Sequence, residues 1–355
     1  MPQVRVLSKG ARITGGVFCL LFALHTWIWV VRDVVELGMG KAWDLWTGAL
    51  GPGAAGLTEM PGTTSADLGL GLLQLAAVFA AFTGAWTAGG LMAVTTALTF
   101  SYRLPVIWHA ALHEEGSPFY AMQGFYNDDA LAAAGLTCSL AVLLCIVLGV
   151  VLLSGIRPWP RTSTTAMAGP AGAWPPGAPG QPPLPPQPEP PLPSECPQRP
   201  TGGHTAVAAL FLGVLALYDI GWTIHSLTAG GGRLWVHLFT GEGIVASLMD
   251  VSPAWDWLTL IFLGLLGAVL ALPRLVSARG FSLGLAIALL PESVTTLWGY
   301  VDAGAFFQLE EPAPVLGFFG RLQVVIVLVG SLTLIALAMR PGVPVASGAP
   351  AGPAP

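Results

Sequence analysis

Three ionisable side chains sit inside long apolar runs: His25, Asp219 and Glu292. A charged residue near the centre of a membrane helix costs about 2.5–3.5 kcal/mol on insertion scales. Such residues persist when they bond to one another or line a polar path. One reading is an intramembrane polar site in a partly hydrated cavity between the halves, entered from outside, where the three would hold a cation, a proton or a polar head group. Glu292 follows Pro291, which removes an amide donor from its helix and frees a backbone carbonyl. The favoured reading is interhelical hydrogen bonding, or placement at the membrane interface.

A second constellation is His109-x-x-x-His113-Glu114-Glu115, with Asp128 and Asp129 further on. On a helix, His109 and His113 share a face at a spacing that suits zinc. The Glu follows the second His, so this is not the H-E-x-x-H order, and a solvated acidic loop is the favoured reading. His109, His113 and Glu114 remain the weak metal candidates. The chain has no P-loop, no nucleophile elbow and no haem-attachment motif. No catalytic residue and no cofactor are expected. Cys19, Cys138 and Cys145 lie in apolar runs and Cys196 in a proline-rich stretch, with no C-x-x-C, so they read as small packing residues.

The elements that must position these side chains follow from composition. The chain has 355 residues, 54% of them hydrophobic and 9% charged. Its mean hydropathy is +0.70. Soluble domains carry about 25% charged residues, so this chain is built for lipid. The formal charge of −5 gives no basic field for nucleic acid. Apolar windows at about 13–31, 68–84, 89–107, 131–153, 205–224, 257–273, 281–300 and 318–339 each approach the span of a hydrocarbon core of about 30 Å. Backbone amides in lipid must pair within their own segment, so these windows are helices. The expected class is all-α: a polytopic transmembrane helix bundle of eight spans, arranged as two parallel four-helix repeats.

Basic residues set the orientation. Arg5, Lys9, Arg12, Arg157, Arg161, Arg199, Arg274, Arg279 and Arg340 fall on one side; Arg32, Lys41, Arg103, Arg233 and Arg321 fall on the other. Both termini and the central linker are expected in the cytoplasm. The first apolar run lacks a small-x-small cleavage site, so it is expected to stay as a span.

Residues 155–203 hold 16 of the 31 prolines. Proline fixes φ and donates no amide hydrogen, so this linker is expected to be extended and unfolded. Its P-x-x-P spacings suit an aromatic-grooved cytoplasmic partner, but a plain spacer is the simpler reading. The expected organisation is a membrane unit over 1–154, the linker over 155–203, a second unit over 204–340 and a disordered tail over 341–355.

The halves align in order. Leu24–Asp33 lies over Leu217–Ser226, bringing Trp29 over Trp222, and Asp219 falls one residue after the counterpart of His25. Lys41-Ala42-Trp43 lies over Arg233-Leu234-Trp235, and Gly90 over Gly280 brings Trp108 over Trp298 without a gap. Four spans per unit return the chain to its starting side, so the repeat is parallel.

The unit resembles the DoxX-like family of four-helix membrane proteins. The resemblance rests on Gly38-Met39-Gly40-Lys41 after the first span, Gly71-Leu72-Leu73-Gln74-Leu75-Ala76 in the second, then Gly84 and Thr87-Ala88. It covers about 140 residues of the first half and, more faintly, the second. Gln74 stands where the family has Glu, Ala88 where it has Arg, and Gly264 occupies the Gln74 position in the second half. The resemblance implies a non-catalytic binding or accessory role beside membrane redox systems, with the tandem replacing a homodimer. The alternatives are a small-molecule or ion transporter using the interface between repeats, and a quinone-contacting redox subunit. The expected surroundings are the lipid bilayer of a bacterial plasma membrane, with a membrane-protein partner possible and no nucleic acid.

Overall fold

The computed structural model describes residues 4–48, 60–112, 128–159, 197–242, 244, 245, 247–308 and 314–344. His113, Glu114, Cys196, most of the linker and the end of the tail lie outside them. Among the described residues eight helices are long and apolar enough to cross a membrane, and the chain is an all-α, multi-pass helix bundle. Their lipid-facing surface is apolar: Ile28, Leu136, Leu210, Leu217 and Phe262 are all strongly exposed.

In the first half, α1 is Lys9–Leu37, α2 Met39–Trp46, α3 Ser65–Thr83, α4 Ala88–Arg103, α5 Val106–Leu112 and α6 Asp128–Ser154. In the second, α7 is Gly202–Thr240, α8 Pro253–Ala271, α9 Val276–Asp302 and α10 Pro314–Ala338. Helix ends are closed by the expected chemistry. The Ser8 hydroxyl accepts from the Ala11 amide at 3.4 Å, and Thr64 and Asp67 form a capping box at the start of α3. Gly84 ends α3 at φ +77°, in the left-handed region that favours glycine, and lets the chain turn into α4 without a long loop. At about 1.5 Å per residue, the 39 residues of α7 exceed a bilayer core. The helix is broken at Gly231, whose φ is +69°.

The pairing of helices is the same in both halves. α1 packs on α3 and α4 on α6; α7 packs on α8 and α9 on α10. Each half is also closed by a short antiparallel strand pair. β1 (Arg5–Leu7) joins β2 (Ile156–Pro158), and β3 (Gln198–Arg199) joins β4 (Val343–Pro344). The linker and tail margins, expected to lack structure, therefore supply strands at 156–158, 198–199 and 343–344. Pairing with a neighbouring segment satisfies backbone groups that composition alone leaves unassigned.

α9 forms the seam between halves, lying against α3 and α4. The approach is close enough that only glycine fits. A Cβ on Gly90 would strike the backbone of Ser277 and Gly280, and one on Gly280 would strike Thr87. Gly69 meets the Ala288 carbonyl in the same way. Small residues at such crossings let backbones touch, the main source of helix association in lipid. Gly90 and Gly280 also occupy matching places in the two halves. At the other end of the bundle, the Leu248 amide donates to the Pro61 carbonyl at 2.9 Å and the Met249 amide to the Gly62 carbonyl at 3.0 Å. Both halves therefore run in the same direction.

Replacing Gly90 with Leu should separate the halves and cost at least the 1–3 kcal/mol typical of overpacking. Gly89→Leu, whose Cβ meets nothing within 4 Å, should leave the melting temperature in detergent nearly unchanged. Equal melting temperatures for the two variants would refute the close-contact reading.

Candidate intramembrane carboxylate site

The first half neutralises its buried acids internally. Asp67, in the first turn of α3, meets Arg103 at the end of α4 at 2.6 Å, both side chains almost fully buried. The second Asp67 oxygen accepts from the Thr64 amide at 2.8 Å. Asp33, fully buried in α1, accepts from the Gly62 amide at 2.9 Å, the Thr63 amide at 2.7 Å and the Thr63 hydroxyl at 2.6 Å. Arg32 adds a salt bridge at 3.1 Å. Asp33 thereby holds the loop that leads into α3. Gln74, at the position where the resemblance has Glu, donates to the Thr99 hydroxyl at 3.1 Å inside the bundle.

The second half gathers acids without a base. Asp219, on α7, has no solvent exposure. Its Oδ1 accepts from the Gln323 side chain of α10 at 3.1 Å, and the Gln323 oxygen accepts from the Trp222 indole at 2.7 Å. Its Oδ2 is buried with no partner. Asp256, in the first turn of α8, is reached by the Tyr102 phenol from α4, and its Oδ1 is also buried and unpartnered. Glu292, on α9, completes the set. Asp219, Asp256, Glu292 and Gln323 line one cavity of about 200 Å³, with Ser293 and Thr296 beside them and Leu215, Leu260 and Val327 on its apolar wall. Among the described residues, no Lys, Arg or His lines it. Arg321, two residues before Gln323, is turned elsewhere: it donates to the Gln308 carbonyl at 2.7 Å and lies over the Tyr300 ring.

The register that sets Gly90 against Gly280 explains the contrast. It places Arg103 opposite Ser293 and Tyr102 opposite Glu292. Asp67 and Asp256 both occupy first helical turns. In that alignment the second half has an acid in the first turn of α8, a serine at the place of Arg103, and two further carboxyls at Asp219 and Glu292.

Of the residues picked from sequence, Asp219 and Glu292 share this cavity and His25 does not. His25 is half-buried in α1, near enough to Arg103 to feel its charge. The cavity lies within the second four-helix unit, not midway between the halves. His109 is buried in α5 beside Trp108. Among the described residues no three His, Cys, Asp or Glu side chains converge tightly enough to chelate a metal ion. Sequence reasoning missed Asp256, Gln323 and Tyr102. The available signal was that Asp256 stands one residue before an apolar window.

Enclosed carboxylates repel one another and lose their hydration. A proton on one of these groups, or a cation among them, relieves that repulsion. Its size and the spread of the acids suit a proton or a small ammonium group held by hydrogen bonds. No known protein family, curated protein or solved structure matches this chain.

The first-half pair gives a direct contrast. Arg103→Met leaves Asp67 buried and uncompensated, and should cost about 3–5 kcal/mol. Asp67→Leu combined with Arg103→Met should recover most of that loss in a detergent unfolding assay. A double variant no better than the single one would show that the pair is not what holds α3 against α4.

Proposed function

We propose that the chain is a membrane-embedded binding protein, built from two DoxX-like four-helix units, whose second unit holds a small cation in the carboxylate cavity. One observation carries this reading: Asp219 is fully buried, has an unpartnered oxygen, and faces a cavity lined by two further acids and, among the described residues, no base. Tandem duplication is supported by the repeated order of helix pairs, by a closing strand pair in each half and by the Gly90–Gly280 contact. In a duplicated protein one unit can keep a neutral, purely structural polar centre while the other is free to bind. The first unit, with Arg103 on Asp67, is the structural one.

The basic-residue count supports a plasma-membrane location with both termini in the cytoplasm. In that orientation the cavity lies toward the outer face, because Asp256 opens α8 and Gln323 lies in the first half of α10. The proline-rich linker then stands on the cytoplasmic side, available to an aromatic-grooved partner.

A second reading is transport of the same cation. Pro291 lies inside α9 immediately before Glu292. It leaves the Ile287 carbonyl without its helical donor, at a point where transporters use interrupted helices to coordinate cations.

Binding stabilises the folded state by about 2.7 kcal/mol when the ligand is at a hundred times its dissociation constant. Methylammonium should therefore raise the melting temperature of the purified protein. Asp219→Asn and Glu292→Gln should abolish the rise without preventing membrane insertion. If methylammonium, sodium and potassium all leave the melting temperature unmoved, the cation-binding reading is wrong.

A further inference from the structure

An apolar groove of about 480 Å³ lies beside the carboxylate cavity, between α7 and α10. Leu217, Tyr218, Gly221 and Trp222 line it from α7, and Leu316 and Phe319 from α10. Tyr218, Trp222 and His225 follow helical spacing along one stripe of α7, while Leu215 and Asp219 form the adjacent stripe that faces the acids. Trp222 stands at the boundary. Its ring lines the groove, and its indole N–H holds Gln323, which in turn holds Asp219. The groove is open on the lipid side, where Leu217 and Phe319 are exposed.

Resting on the cation-binding reading above, we propose that the ligand is a single-tailed amphiphile with an ammonium head. The head sits among Asp219, Asp256 and Glu292, and the alkyl tail lies in the groove between α7 and α10. Charge selects the occupant. A phospholipid would bring a phosphate toward three acids with no lining base, whereas a long-chain amine brings only positive charge. The cavity of about 200 Å³ accepts a primary or methylated ammonium. Such a ligand enters sideways from the bilayer, which removes the need for an aqueous path to the acids.

The test uses the full chain in lipid nanodiscs and compares methylammonium, a head without a tail, with decylammonium. Binding is read from tryptophan fluorescence. Tail contact is probed with Gly221→Leu, because a Cβ at Gly221 meets nothing within 4 Å and the side chain fills the groove without displacing the backbone. Inside the bilayer the tail is already out of water, so the groove holds it by close packing and not by burial of apolar surface. Decylammonium should therefore bind wild type severalfold more tightly than it binds Gly221→Leu in the same nanodiscs, which cancels simple partitioning into lipid. Methylammonium should bind both equally, and Asp219→Asn should lose both ligands.

If methylammonium binds but decylammonium does not distinguish wild type from Gly221→Leu, the amphiphile proposal fails while the cation site stands. If neither amine binds, the cation-binding reading itself has failed. Decyl phosphate binding as tightly as decylammonium would overturn the charge argument.

Discussion

Charge without water is the constraint on which this bundle depends. A carboxylate inside a helix bundle has no bulk solvent to share its charge, so it needs a base, a set of hydrogen-bond donors, a proton or a ligand. The first half uses the first two. Asp67 takes Arg103, and Asp33 takes the backbone of the 62–63 segment together with Arg32. Those bonds also fix how α3 enters the bundle and how α4 leaves it. The second half applies the same helix arrangement to a different solution: its acids face a cavity that no base among the described residues lines.

The seam between halves makes that asymmetry possible. Backbone contact through Gly69, Gly90 and Gly280 locks α9 onto α3 and α4, and small residues are what such contact requires. Tyr102 then crosses from α4 to Asp256, so the first half contributes a hydroxyl to the acids of the second. A single four-helix unit would supply neither that neighbour nor the rigid wall behind Glu292.

Much of the architecture was legible in the sequence because lipid imposes simple rules. Windows of about 20 apolar residues mark the spans, and the structure returns eight helices at those places. Asp219 and Glu292 were conspicuous because an acid inside such a window is expensive. Asp67, Arg103 and Asp256 were not. Each lies at the edge of an apolar window, where hydropathy falls as though the chain were leaving the membrane. Arg103 counts as an outer-loop base by sequence, yet it is fully buried. A salt bridge at a helix end looks like a loop until the partner helix is in place. Gln323 was silent because a neutral amide in a span raises no alarm. The groove on α7 was invisible for a different reason: it arises from the spacing of α10, which no local pattern encodes.

The central claim is that the second-half carboxyls exchange a proton or accept a cation while those of the first half do not. Infrared difference spectroscopy on the reconstituted protein reads this most directly, by recording carboxyl bands before and after an ammonium ligand is added. The account predicts a ligand-induced change in carboxyl and carboxylate bands that disappears in the combined Asp219→Asn, Asp256→Asn and Glu292→Gln variant and survives replacement of the Asp67–Arg103 pair. No ligand-induced carboxyl change, or one that persists in the triple variant, would contradict it.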